Sequence, residues 1–116
     1  MHEAPRVVIH HGDVHIGERL LESIERRCSA LAAEFNEAKR FELSFEPRGA
    51  GVRGQLHATG SHTDVATHAE AEEVGIVTDR VFEKIERRLR RVHDKRIFAR
   101  RRDAKLSALK RHSADG

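Results

Sequence analysis

The sequence predicts an α+β fold in the order β-α-β-β-β-α: one four-stranded sheet with two helices packed on one face. Three observations carry this. Two segments repeat their apolar residues at the helical spacing of three and four. RFELSFE, residues 40 to 46, alternates cleanly between apolar and polar side chains, as a strand with one wet side does. Finally, 116 residues suffice for one modest core and are too few for two ordinary domains.

Taken in order, RVVIHH at 6 to 11 groups three β-branched residues before Gly12-Asp13 and reads as a short first strand. From Glu18 to Phe35 the stripe Leu20, Ile24, Cys28, Leu31 and Phe35 defines an amphipathic helix. Gly17 is a weaker cap for it than Ser, Thr or Asp. Phe41, Leu43 and Phe45 mark the inner face of the second strand, and PRGAG at 47 to 51 reads as a turn. Val52 to Ala58 and Val65 to Ala71 form two further strands around TGSHTD, with Leu56, Ala58, Thr67, Ala69 and Ala71 facing inward. A hairpin centred between His62 and Thr63 would set His57 directly across from His68 on the outer face. Val74, Val77, Thr78, Val81, Ile85, Leu89 and Val92 then trace the stripe of a long last helix. The stripe fails beyond Lys95, so residues 1 to 98 are read as the domain and 99 to 116 as a basic, disordered tail.

Charge is distributed regionally. Residues 84 to 102 hold ten Lys or Arg and two acidic residues, whereas residues 1 to 83 hold nine basic and fifteen acidic ones. On a helical wheel with Val74 at zero, Arg80, Lys84, Arg87 and Arg91 fall between about 220 and 280 degrees, away from the apolar stripe, with Arg88 and Arg90 flanking them. Arg88 lies near enough to the apolar boundary to reach past the sheet edge. Arg80 to Arg91 spans ~16 Å, a length over which a nucleic-acid backbone offers several phosphates. Lys95, Arg96 and Arg100, Arg101 and Arg102 extend the positive surface. One or two arginines here need no more than a helix C-terminus and an i,i+4 pair such as Glu86 with Arg90. Ten exceed that need, and the preponderance of Arg favours forked contacts to phosphate oxygens. With neither Trp nor Tyr, no stacking platform is visible, which points to backbone and shape recognition of folded RNA.

Other chemistry finds little support. His11, Asp13 and His15 lack a spacing that specifies zinc, and there is no HExxH or cysteine cluster, so no metal is expected. No nucleophile has an oriented base and no glycine loop cradles a phosphate, so neither an enzyme activity, a cofactor nor a small-molecule substrate is expected. The lone Cys28 reads as a buried, inert thiol in a reducing compartment, the cytoplasm. No apolar run is long enough to span a bilayer, and no membrane partner is expected.

The passage LHATGSHTDVATHAEAEEVGIVTDRVFEKIERRLRRVHDK, and above all EKIERRLRRVHDK, resembles the ribosome hibernation promoting factor and ribosome-associated translation inhibitor A family, the ribosomal subunit interface proteins. The likeness covers roughly residues 6 to 96, with Ala69, Ala71 and Glu72 leading into a helix that ends Lys84-Ile85-Glu86-Arg87-Arg88-Leu89. The chain departs from many relatives at Gly17-Glu18, where they carry a Thr or Ser cap, and at Glu73-Val74-Gly75, where they carry Asp-Met-Tyr. The resemblance implies a translation inhibitor that occupies the mRNA and tRNA channel of the small ribosomal subunit, with whole ribosomes and rRNA as partners. It implies rRNA contacts from Lys84, Arg87, Arg88 and Arg91, with Arg80 added and Arg90, Lys95 and Arg96 beside them. Arg26, Arg27, Lys39 and Arg40 would widen the footprint. Long relatives carry a further domain that pairs ribosomes; this chain is expected to lack it and to leave pairing to a separate factor. Two alternatives remain: a generic double-stranded-RNA-binding module, whose α-β-β-β-α plan is related, and a regulatory domain whose basic helix docks on an acidic protein.

Overall fold

The structure, a computed structural model, describes residues 4–114, with side chains described through Leu106. It contains β1 (Arg6–His10), α1 (Glu18–Glu34), β2 (Ala38–Arg48), β3 (Gly51–Gly60), β4 (Thr63–Ala71) and α2 (Val74–Ala114). The strands lie side by side in the order β1-β2-β3-β4. β1 runs parallel to β2, with α1 as the crossover, and the remaining pairs are antiparallel. α1 covers β2, α2 covers β3 and β4, and the helices touch each other above the sheet.

The alternation read from the sequence sets the inner face. Phe41, Leu43 and Phe45 of β2 and Leu56 and Ala58 of β3 are buried beneath Ile24, Cys28, Leu31 and Phe35 of α1 and Val77, Val81, Ile85 and Leu89 of α2. Val14 and Ile16, from the β1–α1 connection, and Phe82 also enter this core. Thr67 brings a hydroxyl to the inner face of β4 and donates it to the Val81 carbonyl at 3.0 Å, fastening strand to helix. Gly54 lies directly under α2: a Cβ there would collide with Val77 Cγ1 and press on Phe45. Small residues on β3 and β4 therefore set how closely the helix approaches.

Pro47 falls within β2 opposite Val52 rather than in the turn. Because β1 stops at His10, opposite Ser44, one side of β2 is open beyond Phe45, and the missing N–H of proline costs no ladder bond there. The β3–β4 hairpin closes two residues earlier in register than expected. Gly60 pairs with Thr63, so the loop is Ser61-His62, and His62 takes φ +52. His57 consequently faces Ala66, and His68 faces Gln55. The expected His57/His68 cross-strand pair does not form; His57 instead hydrogen-bonds Asp64.

The chain from residue 99 was expected to be irregular, but α2 continues as helix through Ala114. The extension is rich in Arg, Lys, Ala and Leu, all strong helix formers, and it prolongs a helix whose nucleation has already been offset by packing. Residues 115 and 116 of the expected tail lie outside the described residues. No described helix is long and apolar enough to cross a membrane.

Candidate nucleic-acid interface

α2 carries its cations past β4, the outer strand of the sheet. Four residues of helix advance about 6 Å and two residues of strand about 6.6 Å, so the two elements stay nearly in step where they run side by side. Arg80 donates to the Glu70 carbonyl at 2.9 Å, Lys84 to His68 at 2.8 Å and Arg88 to Ala66 at 2.5 Å. Further on, the Arg96 guanidinium donates to the Ser61 carbonyl at 3.1 Å. Arg80, Lys84 and Arg88 thereby satisfy carbonyls that an edge strand would otherwise present to solvent or to another strand. The expected reach of Arg88 past the sheet edge is seen directly. Arg80 and Lys84 differ from the outward stripe drawn on the wheel, because the strand carbonyls bend them toward the sheet.

Arg87 and Arg91 remain on the outer face. Arg87 makes only a long 3.5 Å contact to the Glu83 carbonyl, and neither residue joins an ion pair among the described residues. With Lys84, Arg88, Thr67 and His68 they line a groove of about 400 Å³ between helix and sheet edge. No carboxylate lines it. Four cations at fixed spacing around a groove without acid form a surface suited to successive phosphates.

Other predicted residues are engaged elsewhere. Arg90 is turned to α1, where it pairs with Glu34 at 2.8 Å and Glu86 at 3.1 Å, its guanidinium 5.5 Å from the centre of the Phe35 ring. The charge of Glu34, and then the hydrogen bond that Arg90 donates to Glu86, raise its pKa above the usual arginine value. Arg27 pairs with Asp79 at 2.7 Å and lies over Phe82, tying α1 to α2. Arg40 pairs with Glu42 at 2.9 Å on the outer sheet face. Arg26 and Lys95 are exposed, as are Arg100, Arg101 and Arg102 on the helical extension. Lys39, Arg96 and Arg100 meet at a second hollow beside Asn36, Glu37, Ser61, His93 and Ile97.

Sequence reasoning did not select Asn36, Glu37, Ser61 or His93, which have no local spacing that would announce them. Among the described residues no cluster of three metal-ligating side chains occurs. Burial pushes the Cys28 thiol up to about 12, against a smaller opposing pull from Arg27.

No curated protein sequence matches the chain significantly. Among solved structures, it is similar to a ribosomal subunit interface protein from Coxiella burnetii, at 15% identity and TM-score 0.67, covering 77% of this chain and 98% of that one. It is also similar to the N-terminal domain of Thermus thermophilus Protein Y, at 13% identity and TM-score 0.65, covering 78% and 99% respectively. These likenesses show the shared fold. The family model described as Sigma 54 modulation protein / S30EA ribosomal protein matches residues 7–97, from β1 through the stretch of α2 that bears the groove. With most of its length matched, the chain belongs to the Sigma 54 modulation protein / S30EA ribosomal protein family.

Proposed function

We propose that this protein is a non-enzymatic hibernation factor that binds the small ribosomal subunit, alone and within the whole ribosome. It lies in the mRNA and tRNA channel and blocks translation by occupying that space. The observation that carries this reading is the acid-free groove between α2 and β4, where Lys84, Arg87, Arg88 and Arg91 are fixed by a rigid helix and an edge strand. Such an array engages rRNA phosphates through charge and geometry and needs no base stacking. Membership of the family supports the ribosome as the place where the array acts. A protein working by occlusion needs no nucleophile or cofactor, and the cytoplasm is where it would meet ribosomes under stress.

The test is sedimentation with purified small subunits and ribosomes at two salt concentrations. Four phosphate contacts predict an affinity loss of about a hundredfold for a fourfold rise in salt. The double variant Arg87→Glu with Arg91→Glu should abolish cosedimentation while its circular dichroism stays native, because neither side chain is part of the core. Unchanged cosedimentation of that variant would sink the assignment.

A further inference from the structure

The hollow beyond the groove has a volume of about 280 Å³ and is built from three parts of the fold. The α1–β2 connection and the start of β2 supply Asn36, Glu37 and Lys39, the β3–β4 turn supplies Ser61, and α2 supplies His93, Arg96, Ile97 and Arg100. Its floor is fixed. The Ser61 N–H donates to the Glu37 carbonyl at 3.0 Å. A Cβ at Gly60 would collide with that same carbonyl, so only glycine admits the connection this close to β3. Glu37 itself is only 6% exposed. Its Oε1 lies 2.7 Å from His93 Nδ1, and His93 in turn meets the Phe35 ring edge-on at 5.7 Å.

The His93 contact explains one carboxylate oxygen and leaves the other. The charges around the hollow are mixed in a way that selects among ligands. A simple anion would suit Lys39, Arg96 and Arg100 but would meet a carboxylate on the floor, and a metal cation would meet three positive side chains. A nucleotide satisfies both, because its phosphate is negative and its base presents hydrogen-bond donors. Guanine alone among the four RNA bases places two adjacent N–H donors, N1–H and N2–H2, beside an acceptor, O6. The remaining oxygen of Glu37 supplies one acceptor that the two adjacent donors can share, and the exposed Asn36 amide supplies a donor for O6. Ile97 and the planar arginine guanidinium groups offer surfaces for the base face, which compensates for the lack of Tyr and Trp. Arg91 to Arg96 is about 7.5 Å along the helix but about 140 degrees around it, so the hollow opens on a different face of α2 from the groove, toward the α1–β2 connection.

We propose that this hollow receives one unstacked guanine nucleotide of a bound RNA, separately from the phosphates held in the α2–β4 groove. The phosphate lies among Lys39, Arg96 and Arg100, and the base edge is read by Glu37 and Asn36. This rests on the RNA-binding reading above and adds base selection to it.

The test is an NMR titration of the isotope-labelled full chain with the trinucleotides UGU, UAU, UCU and UUU, and separately with inorganic phosphate. UGU is expected to move the amide signals of Asn36, Glu37, Ser61 and His93 with a Kd at least tenfold below those of the other three. Lys39→Ala should weaken all four by a similar factor. Glu37→Gln should remove the preference, and because Glu37 is buried, Asn36→Ala at an exposed position provides the second variant, expected to shrink the UGU advantage below threefold. Equal affinity for the four trinucleotides, an Asn36 and Glu37 response to inorganic phosphate as large as that to UGU, or an undiminished preference in Asn36→Ala would each overturn the proposal. A UGU preference that persists in Arg87→Glu/Arg91→Glu, or in a chain that never sediments with ribosomes, supports the hollow even where the ribosomal assignment fails.

Discussion

Cys28 lies at the centre of the buried stripe of α1, fully enclosed, and its chemistry follows from that position. Desolvation opposes the thiolate and pushes the thiol up to about 12 from an ordinary 9.0. Below 9.0 both folded and unfolded chains keep the proton. Between about 9 and 12 the unfolded chain releases it while the folded chain holds it, so stability falls as pH rises through that window. A disulfide reagent at pH 8 should leave the native thiol unlabelled and label one thiol per chain in denaturant; rapid native labelling would contradict the burial. Two glycines provide an opposed pair. Gly54→Ala forces a Cβ into Val77 and should destabilise by about 1–3 kcal/mol. Gly75, in the first turn of α2, has nothing within 4 Å of a Cβ, and Gly75→Ala should stabilise by about 0.5–1 kcal/mol. Urea unfolding of both variants checks the signs.

At the scale of elements, the pairing of α2 with β4 does two things. It presents cations to the groove, and through Arg80, Lys84 and Arg88 it covers the outward carbonyls of an edge strand. Replacing all three by Ala should leave the helix folded but expose that edge, and light scattering should show concentration-dependent self-association. A variant as monodisperse as the parent would show that the helix backbone alone protects the strand. The core faces of α1, β2 and α2 were legible in the sequence because burial imposes a period, and Phe41, Leu43, Phe45, Val77, Val81, Ile85 and Leu89 all obey it. The hairpin register was not legible, since TGSHTD offers several turns of similar cost and the choice is made by Glu37 docking on Gly60. Arg88 was placed at the sheet edge by its wheel angle. Arg80 and Lys84 were drawn outward because a wheel has no neighbouring strand, and the Glu37–His93 pair links residues 56 apart with no pattern to join them.

Across the whole molecule, α2 is 41 residues long and the molecule reaches 70 Å in its longest dimension, far more than the sheet requires. The half of α2 over the sheet is held by Val77, Val81, Ile85 and Leu89, whereas on the extension Phe98 and Leu106 are 69% and 50% exposed and add little to the core. Arg100, Arg101, Arg102 and Lys105 stand exposed on this extension, so what it adds to the molecule is positive charge rather than buried surface. Ending the chain after Ile97 should therefore shift unfolding free energy by no more than about 0.5 kcal/mol. The same truncation should make the logarithmic dependence of ribosome affinity on salt shallower by about one for each phosphate no longer engaged. The two measurements separate the roles of the helix. A stability loss with an unchanged salt slope would make the extension a packing element. An unchanged stability with a shallower slope would make it a lever that carries charge to RNA beyond the groove, on a helix aligned by its packed half.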